Sequence, residues 1–410
     1  MLPTLSKLFE SIIFKRIKDY FDSSGFLNPH QYGFRKQRNT ELAIFSMIDK
    51  IVSAFERKLF GICVFLDYSK KCFDTLCRNI LLSKFERYGV RGIALDLLKS
   101  YFQNRNQVVE YHDAKSGVLA QNIGVIQGSK CGPLFYDIYT SDLSKICASE
   151  ELVMFADDTC LLYTGDNLED LTHHINERLK IIFEWCCQNK LCVNPEKCSY
   201  MLFTTKNVEV DPPIKLNEES LMRAKTFKYL GVTIDENLKY QKHIELLCSK
   251  ISRICGIAFR LQYHLNLKSA KSLYYSCTYS ILTYCICIYG GVLQCTQRAN
   301  RLKKLHERTV KNLFSPFCRK DLCIFKQMQL LKLLDIHKLC VGICMYKVLK
   351  QNLCPTLQSN LELEYPIHQY NTRGRDNLVL PLPRVAALKI DFKYQYNDIW
   401  NQIPDNIKAN

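Results

Sequence analysis

Two short apolar runs, Leu152 to Met154 and Cys160 to Tyr163, flank the segment Phe155-Ala156-Asp157-Asp158-Thr159. Apolar runs of this length on either side of a tight turn predict a β-hairpin. The pattern constrains the fold because it sets two adjacent carboxylates at the tip of strands that must themselves be buried. A sheet held by apolar packing has no use for them there. Hard cations such as Mg²⁺ bind carboxylate oxygens and leave other positions open for phosphates, so the pair points to phosphoryl or nucleotidyl transfer. Read alone, an Asp-Asp dipeptide is more often plain turn chemistry.

A second element adds weight. Leu59 to Leu66 (LFGICVFL) is a continuous apolar run of buried-strand type that ends at Asp67. An acid there has to be solvated, paired or metal-bound. If this strand lies beside the hairpin, Asp67, Asp157 and Asp158 form one cluster of carboxylates that repel one another unless cations sit between them. That is the layout of a two-metal site.

Around these elements, helical spacing marks Leu5 to Phe21, about Thr40 to Arg57, Ile80 to Gln103 with interruptions near Gly89 and Gly92, and Pro133 to Ile146. It also marks Leu168 to Gln188, whose apolar face carries Leu171, Ile175, Leu179, Ile182 and Cys186. Gln107 to Tyr111 with Gly117 to Gly124, Tyr200 to Thr204, and Phe227 to Ile234 read as strands. Hairpins replace regular β-α repeats, which predicts an α+β fold with an antiparallel sheet. From Tyr240 to Lys350 the pattern is almost wholly helical, and a composition shift near residue 238 marks a domain boundary.

That helical region is also basic. Leu221 to Lys350 holds 23 Lys and Arg against 6 Asp and Glu, enough to account for the whole chain's net charge of +16. A polyanion fits such a surface, since each neutralised phosphate releases counterions; a solvated basic face or an acidic membrane is the plainer reading. The 21 cysteines follow no signal peptide and show no facing Cys-x-x-Cys pairs, although Cys285, Cys287 and Cys295 lie close, as do Cys340 and Cys344. Buried thiols of a reduced, intracellular protein of the nucleus or cytoplasm are expected, without a disulfide-linked partner. Ser272 to Gln297 carries no charge, but its Tyr, Ser and Thr content and the Gly290-Gly291 break predict a buried helix and no membrane span.

Six segments in order then resemble the motifs of a non-LTR (LINE-type, jockey-like) retrotransposon reverse transcriptase: QYGFRKQRNT (31–40), FLDYSKKCFDTL (65–76), GVIQGSKCGPLF (124–135), FADDT (155–159), LCVNPEKCSYMLF (191–203) and FKYLGVTID (227–235). The fragments YNTRGRDNLVLPLPR and WNQIP resemble the C-terminal tails of the same elements. The resemblance implies a right-hand polymerase with fingers, palm and thumb; with the boundary near 238, fingers and palm take residues 1–238 and a basic helical thumb and connector 239–350, while the poorly periodic, Pro-, Asn- and Tyr-rich end reads as a C-terminal appendage of unknown fold over 351–410. It implies that Asp67, Asp157 and Asp158 bind two Mg²⁺ ions, with Mn²⁺ as an alternative. Gln127 and Gly128 match a loop lying against the nascent base pair, Lys197 a lysine that protonates the leaving pyrophosphate, Phe73 an aromatic that screens the sugar 2′ position, and Arg35, Lys36 and Arg38 a fingers segment touching the template. Phe227 to Gly231 resembles the primer grip.

The chain also departs from the family pattern. Asp67-Tyr68-Ser69-Lys70-Lys71-Cys72-Phe73-Asp74 is one residue longer than the family's D-x-S-K-A-F-D, which moves Phe73 from five to six residues beyond Asp67. Ile126 replaces a usual proline, and Lys130, Cys131 and Asp137 stand at positions usually apolar. The upstream arginine segment of the fingers is absent, as in an N-terminally truncated copy. The expected function is RNA-directed DNA polymerase, with an RNA template, a DNA primer and deoxynucleoside triphosphates as partners. The alternative is an inactive remnant that keeps the fold and only binds RNA or DNA.

Overall fold

The computed structural model describes residues 4–68, 72–126, 128–147, 152–294, 296–351, 378, 380 and 392–408. Two compact units divide the chain, and the division is not a single cut: Met1–Asn39 joins Lys58–Ala224, whereas Thr40–Arg57 joins Lys225–Asn410.

In the first unit, Phe60–Leu66 is the central strand of a five-stranded sheet. The spatial order is Met222–Arg223, Ser199–Phe203, Phe60–Leu66, Asp158–Gly165, Leu152–Phe155. Every neighbouring pair is antiparallel except the short Met222–Arg223 edge. The central strand is buried along its whole length, as its uninterrupted apolar run predicts. The Leu168–Gln188 helix covers part of this core through Leu171, Ile175, Leu179, Ile182 and Cys186, the stripe read from its periodicity. The Asn167 side chain caps it by accepting from the Glu169 amide at 2.9 Å, and Glu169 and Asp170 complement the helix N-terminus.

Three local readings need correction. Pro133 to Ile146 is two helices, Gly132–Thr140 and Leu143–Ile146. At the break, Thr140 and Ser141 hydroxyls donate back to the carbonyls of Tyr136 and Asp137 at 3.1 and 2.6 Å, a pattern that bends helices. The Gln107–Tyr111 and Gly117–Gly124 strands shrink to two exposed two-residue ladders, Asn106–Gln107 with Leu119–Ala120 and Glu110–Tyr111 with Ala114–Lys115. Phe227 to Ile234 is a tight hairpin, Thr226–Tyr229 with Val232–Asp235. Its central residues Leu230 and Gly231 have φ of 45° and 84°, the two left-handed positions of a type I′ turn.

The second unit is helical. Gln241–Leu261 and Gln297–Phe314 pack together, the latter burying Ala299, Leu302, His306, Val310 and Leu313 while Arg298, Arg301, Lys303, Lys304, Arg308 and Lys311 ride its other faces. The uncharged stretch from Ser272 forms short helical pieces, including a π-helical turn at Tyr274–Tyr279, with Tyr274, Leu282, Ile286 and Tyr289 buried. Among the described residues no single helix is long and apolar enough to cross a membrane; one bent pair, Leu267–Thr283 and Ile286–Gln294, passes by length and composition. Thr40–Glu56 is apolar nearly all round and belongs to this unit, where Glu41 accepts from the Cys287 amide at 3.2 Å and Phe45 meets Tyr396 at 5.7 Å. Residues 352–377 of the C-terminal appendage lie outside the described residues, as do most of 379–391; a helix follows at Phe392–Asn401.

Asp137 is the most exceptional polar residue in the first unit's core. It is 2% exposed, and neither carboxylate oxygen meets a hydrogen-bond donor among the described residues. Burial pushes its carboxyl up to about 8, against the opposing charges of Arg35, Lys18 and Arg38. The folded chain therefore holds this proton to about pH 8 while the unfolded chain releases it near 3.8, so stability falls as pH rises between those values. Asp137→Asn is expected to stabilise the protein by up to about 4 kcal/mol at pH 7 and by little at pH 4. Denaturant titrations at the two pH values check this; equal gains at both would exclude the buried charge as the cause.

Candidate catalytic site

The site grows from the end of the central strand. Phe60–Leu66 pairs with Asp158–Gly165 without interruption, ending at Leu66 opposite Thr159. One residue further, Asp67 leaves the strand beside Asp158. On the other edge, the turn before Ser199–Phe203 wraps the same residue: the Asn194 amide donates to the Asp67 carbonyl at 2.9 Å, and the Asp67 amide donates to Cys198 Sγ at 3.3 Å. This wrapping brings Lys197 Nζ to 4.0 Å from Asp67 Oδ1, with both side chains about half exposed.

The hairpin is as the sequence predicts. Phe155 pairs with Asp158, leaving Ala156 and Asp157 as a two-residue turn. Positive φ occurs at Ala156 (55°) and not at Asp157, the pattern of a type II′ turn, where glycine is the usual occupant. Asp157 and Asp158 both face solvent at the tip. Asp158 is nevertheless pushed up from 3.8 to about 6, first by partial desolvation and then by the charges of Asp157 and Asp67. The three predicted carboxylates therefore act on one another. Because Asp158 is solvent-exposed by area, screening reduces the effect on stability. Among the described residues no three His, Cys, Asp or Glu side chains are drawn up as a ready metal-ligand set. A set of interacting acids at the surface is still a donor set that a hard cation fits, since binding would relieve their mutual repulsion.

Aromatic residues line the approach to this turn. Phe73 stacks on Tyr136 at 4.4 Å and meets Phe34 edge-on at 6.2 Å. Burial, and after it the charges of Asp157 and Asp67, push the Cys72 thiol up to about 12. The extra residue near Lys71 lies outside the described residues, as do Ser69 and Lys70. The paired segment stops at Leu66, so no bulge enters the ladder and every strand side chain keeps its face.

The remaining predicted residues fall in different settings. Gln127 is outside the described residues; Gly128 is exposed, with a φ of 75°. Arg78 positions the segment leading to them: its guanidinium donates to the carbonyls of Gly124 at 2.9 Å and Phe102 at 3.0 Å, and also to Gln121. Lys36 is exposed. Arg38 is engaged within the protein, donating to Gln31 O at 3.0 Å and to Pro29 O while lying over the Tyr32 ring at 5.2 Å. Arg35 is half-buried beside Asp137. Sequence reasoning missed Arg78 and also Gln31, which is 1% exposed and bonds the hairpin turn itself.

Asp158→Asn isolates the electrostatic cost of this arrangement. The raised carboxyl destabilises the folded chain increasingly as pH rises from about 4 through about 6, so the variant should melt higher than the parent at pH 7.5 and level with it at pH 4. Millimolar Mg²⁺ should narrow the gap at pH 7.5. Melting curves with and without Mg²⁺ read both effects, and a gap indifferent to pH and metal would refute the account.

A family model described as reverse transcriptase (RNA-dependent DNA polymerase) matches residues 1–234, more than half of the chain. The chain is 30% identical over 331 residues to a probable RNA-directed DNA polymerase from transposon BS of Drosophila melanogaster, covering 76% of this chain and 35% of that protein. It is 26% identical over 324 residues to the RNA-directed DNA polymerase from mobile element jockey of the same species, with the same two coverages. The chain thus spans about a third of the length of these curated relatives. Among solved structures, a telomerase from Candida albicans in complex with a fragment of telomeric RNA is similar at 15% identity and a TM-score of 0.41, over 79% of this chain and 58% of that one.

Proposed function

Because the chain belongs to the reverse transcriptase (RNA-dependent DNA polymerase) family, we propose that it carries the polymerase of a non-LTR retrotransposon, extending a DNA primer on an RNA template by nucleotidyl transfer. The observation that carries this reading is the strand pairing that brings Asp67 to the Asp157-Asp158 turn at the end of one sheet, where Asp158 is raised first by partial desolvation and then by the charges of the other two. The family generally uses divalent metals, and these three carboxylates would hold two Mg²⁺ ions. When bound, the ions lower the pKa of a primer 3′-hydroxyl and neutralise charge on the triphosphate.

The chain's own residues have complementary work. Asp67 orients Lys197, whose ammonium is a proton source for the departing pyrophosphate. The Phe34–Phe73–Tyr136 aromatic row gives Phe73 a fixed position from which to exclude a 2′-hydroxyl. Gly128, at positive φ and with open space among the described residues where a Cβ would stand, lets backbone approach a base pair closely. In this reading the sheet-bearing unit is the palm with part of the fingers, and the basic helices are the thumb. Asp157→Asn should abolish primer extension on an RNA template with Mg²⁺ and deoxynucleotides while leaving the melting temperature equal or higher. Undiminished extension by Asp157→Asn would sink the site assignment.

Binding is expected to rest on the second unit. Arg253, Arg298 and Arg301 line a cleft of about 420 Å³ between the two long helices, and Arg301, Lys304 and Arg308 line a neighbouring one of about 360 Å³. Replacing Arg301, Lys304 and Arg308 with Gln should weaken binding to any RNA or DNA duplex and flatten the salt dependence by roughly one counterion per lost contact. An unchanged slope in a filter-binding titration would remove these helices from the interface.

A further inference from the structure

We propose that Gln31 is a positioning residue that sets the Asp157-Asp158 turn by binding both backbone polar groups of Ala156. The inference rests on the polymerase reading for its catalytic consequence and on geometry alone for the clamp. Residues 30–32 lie alongside the Leu152–Phe155 strand as a short parallel bridge: Met154 donates to His30 O at 2.9 Å, and Tyr32 donates to Met154 O at 2.7 Å. The backbone pairing stops there. Gln31 continues it with its side chain, Oε1 accepting from the Ala156 amide at 2.9 Å and Nε2 donating to the Ala156 carbonyl at 3.3 Å. The same Oε1 also accepts from the Gly33 amide at 2.8 Å, which fixes the amide plane.

A primary amide is the side chain that can do this, because it presents a donor and an acceptor side by side as a strand backbone does. The site is closed around it. Gln31 is 1% exposed and Ala156 is 7% exposed, so water is not at hand as a substitute partner. A Cβ on Gly33 would stand 2.4 Å from the Ala156 nitrogen, so only glycine lets the two segments approach this closely. Ala156 is also the residue with φ of 55°, a conformation a non-glycine residue adopts at a cost unless its surroundings impose it. Without Gln31, the Ala156 peptide groups lose their partners and the turn can relax by peptide rotation. Asp157 and Asp158 follow directly in the chain, so such a rotation re-aims both carboxylates.

The test uses the full chain with Gln31→Leu, which keeps much of the volume and removes both polar functions. Three readouts apply: hydrogen exchange over residues 152–160, Mn²⁺ titration of the protein alone, and steady-state primer extension. The clamp predicts lost protection at the Ala156 amide, a roughly tenfold weaker Mn²⁺ affinity, and kcat lower by about 30- to 100-fold with deoxynucleotide KM and RNA affinity unchanged. Parent-like Mn²⁺ affinity and turn protection in Gln31→Leu would overturn the proposal, as would a lowered melting temperature with no change in metal affinity, the mark of a merely structural role. Should Gln31→Leu fail to fold, Gln31→Met offers a more flexible apolar filling with the same expectations. The parent chain alone also decides: an Ala156 amide that exchanges freely in it refutes the clamp. If the parent binds Mn²⁺ and protects Ala156 but never extends a primer, the clamp stands and the polymerase reading falls.

Discussion

The arrangement of the acids depends on the register of one strand. Phe60–Leu66 is hydrogen-bonded on both edges and buried on both faces, so alternation of polarity cannot tell one register from the next. A slip of one residue would still bury apolar side chains, yet it would carry Asp67 to the opposite face of the sheet. The register is held at the strand's end, where the Asp67 carbonyl accepts from the Asn194 amide and the Asp67 amide donates to Cys198 Sγ. Polar groups at the margin thus specify what the apolar interior leaves undetermined. The same contacts bring Lys197 to Asp67, so the strand's alignment and this ion pair have a common origin.

Two acids in this protein are raised by related physics with different outcomes. Asp137 sits inside the core without a hydrogen-bond donor among the described residues, and burial dominates, so protonation is its route to neutrality. Asp158 stands at a hairpin tip, where like charges supplement desolvation and a cation can reach it. The first acid is a liability that the nearby charges of Arg35, Lys18 and Arg38 offset only in part. The second has the form of stability given up at a site where charge is wanted.

Much of this was legible in the sequence where the signal is local and periodic. The stripe on Leu168–Gln188, the Asp-Asp hairpin and the buried strand before Asp67 each leave a pattern within a few residues. Two kinds of feature left none. Phe227 to Ile234 hid a turn because Leu230 keeps the run apolar; the signs were Gly231 and the shift of the apolar alternation from Phe227 and Tyr229 to Val232 and Ile234. Gln31 and Arg78 act on backbone atoms, Gln31 on Ala156 125 residues away. A backbone partner imprints no complementary residue type on the chain, so neither role has a counterpart to find. Gln-x-Gly was the faint available sign: an amide followed two residues later by the residue that permits close approach.

The second unit is assembled from two pieces separated by nearly the whole of the first. Its Thr40–Glu56 helix buries apolar residues on almost every side, while Glu41's partner in that unit lies 246 residues further on. On a ribosome the helix emerges long before that partner, and the intervening sheet can close around its own ladder in the meantime. A greasy helix must therefore wait, tethered between folded neighbours, until the last helices are made. The order of synthesis, more than the strength of any contact, sets how long this chain is exposed to aggregation and how much it depends on chaperones to reach its final form.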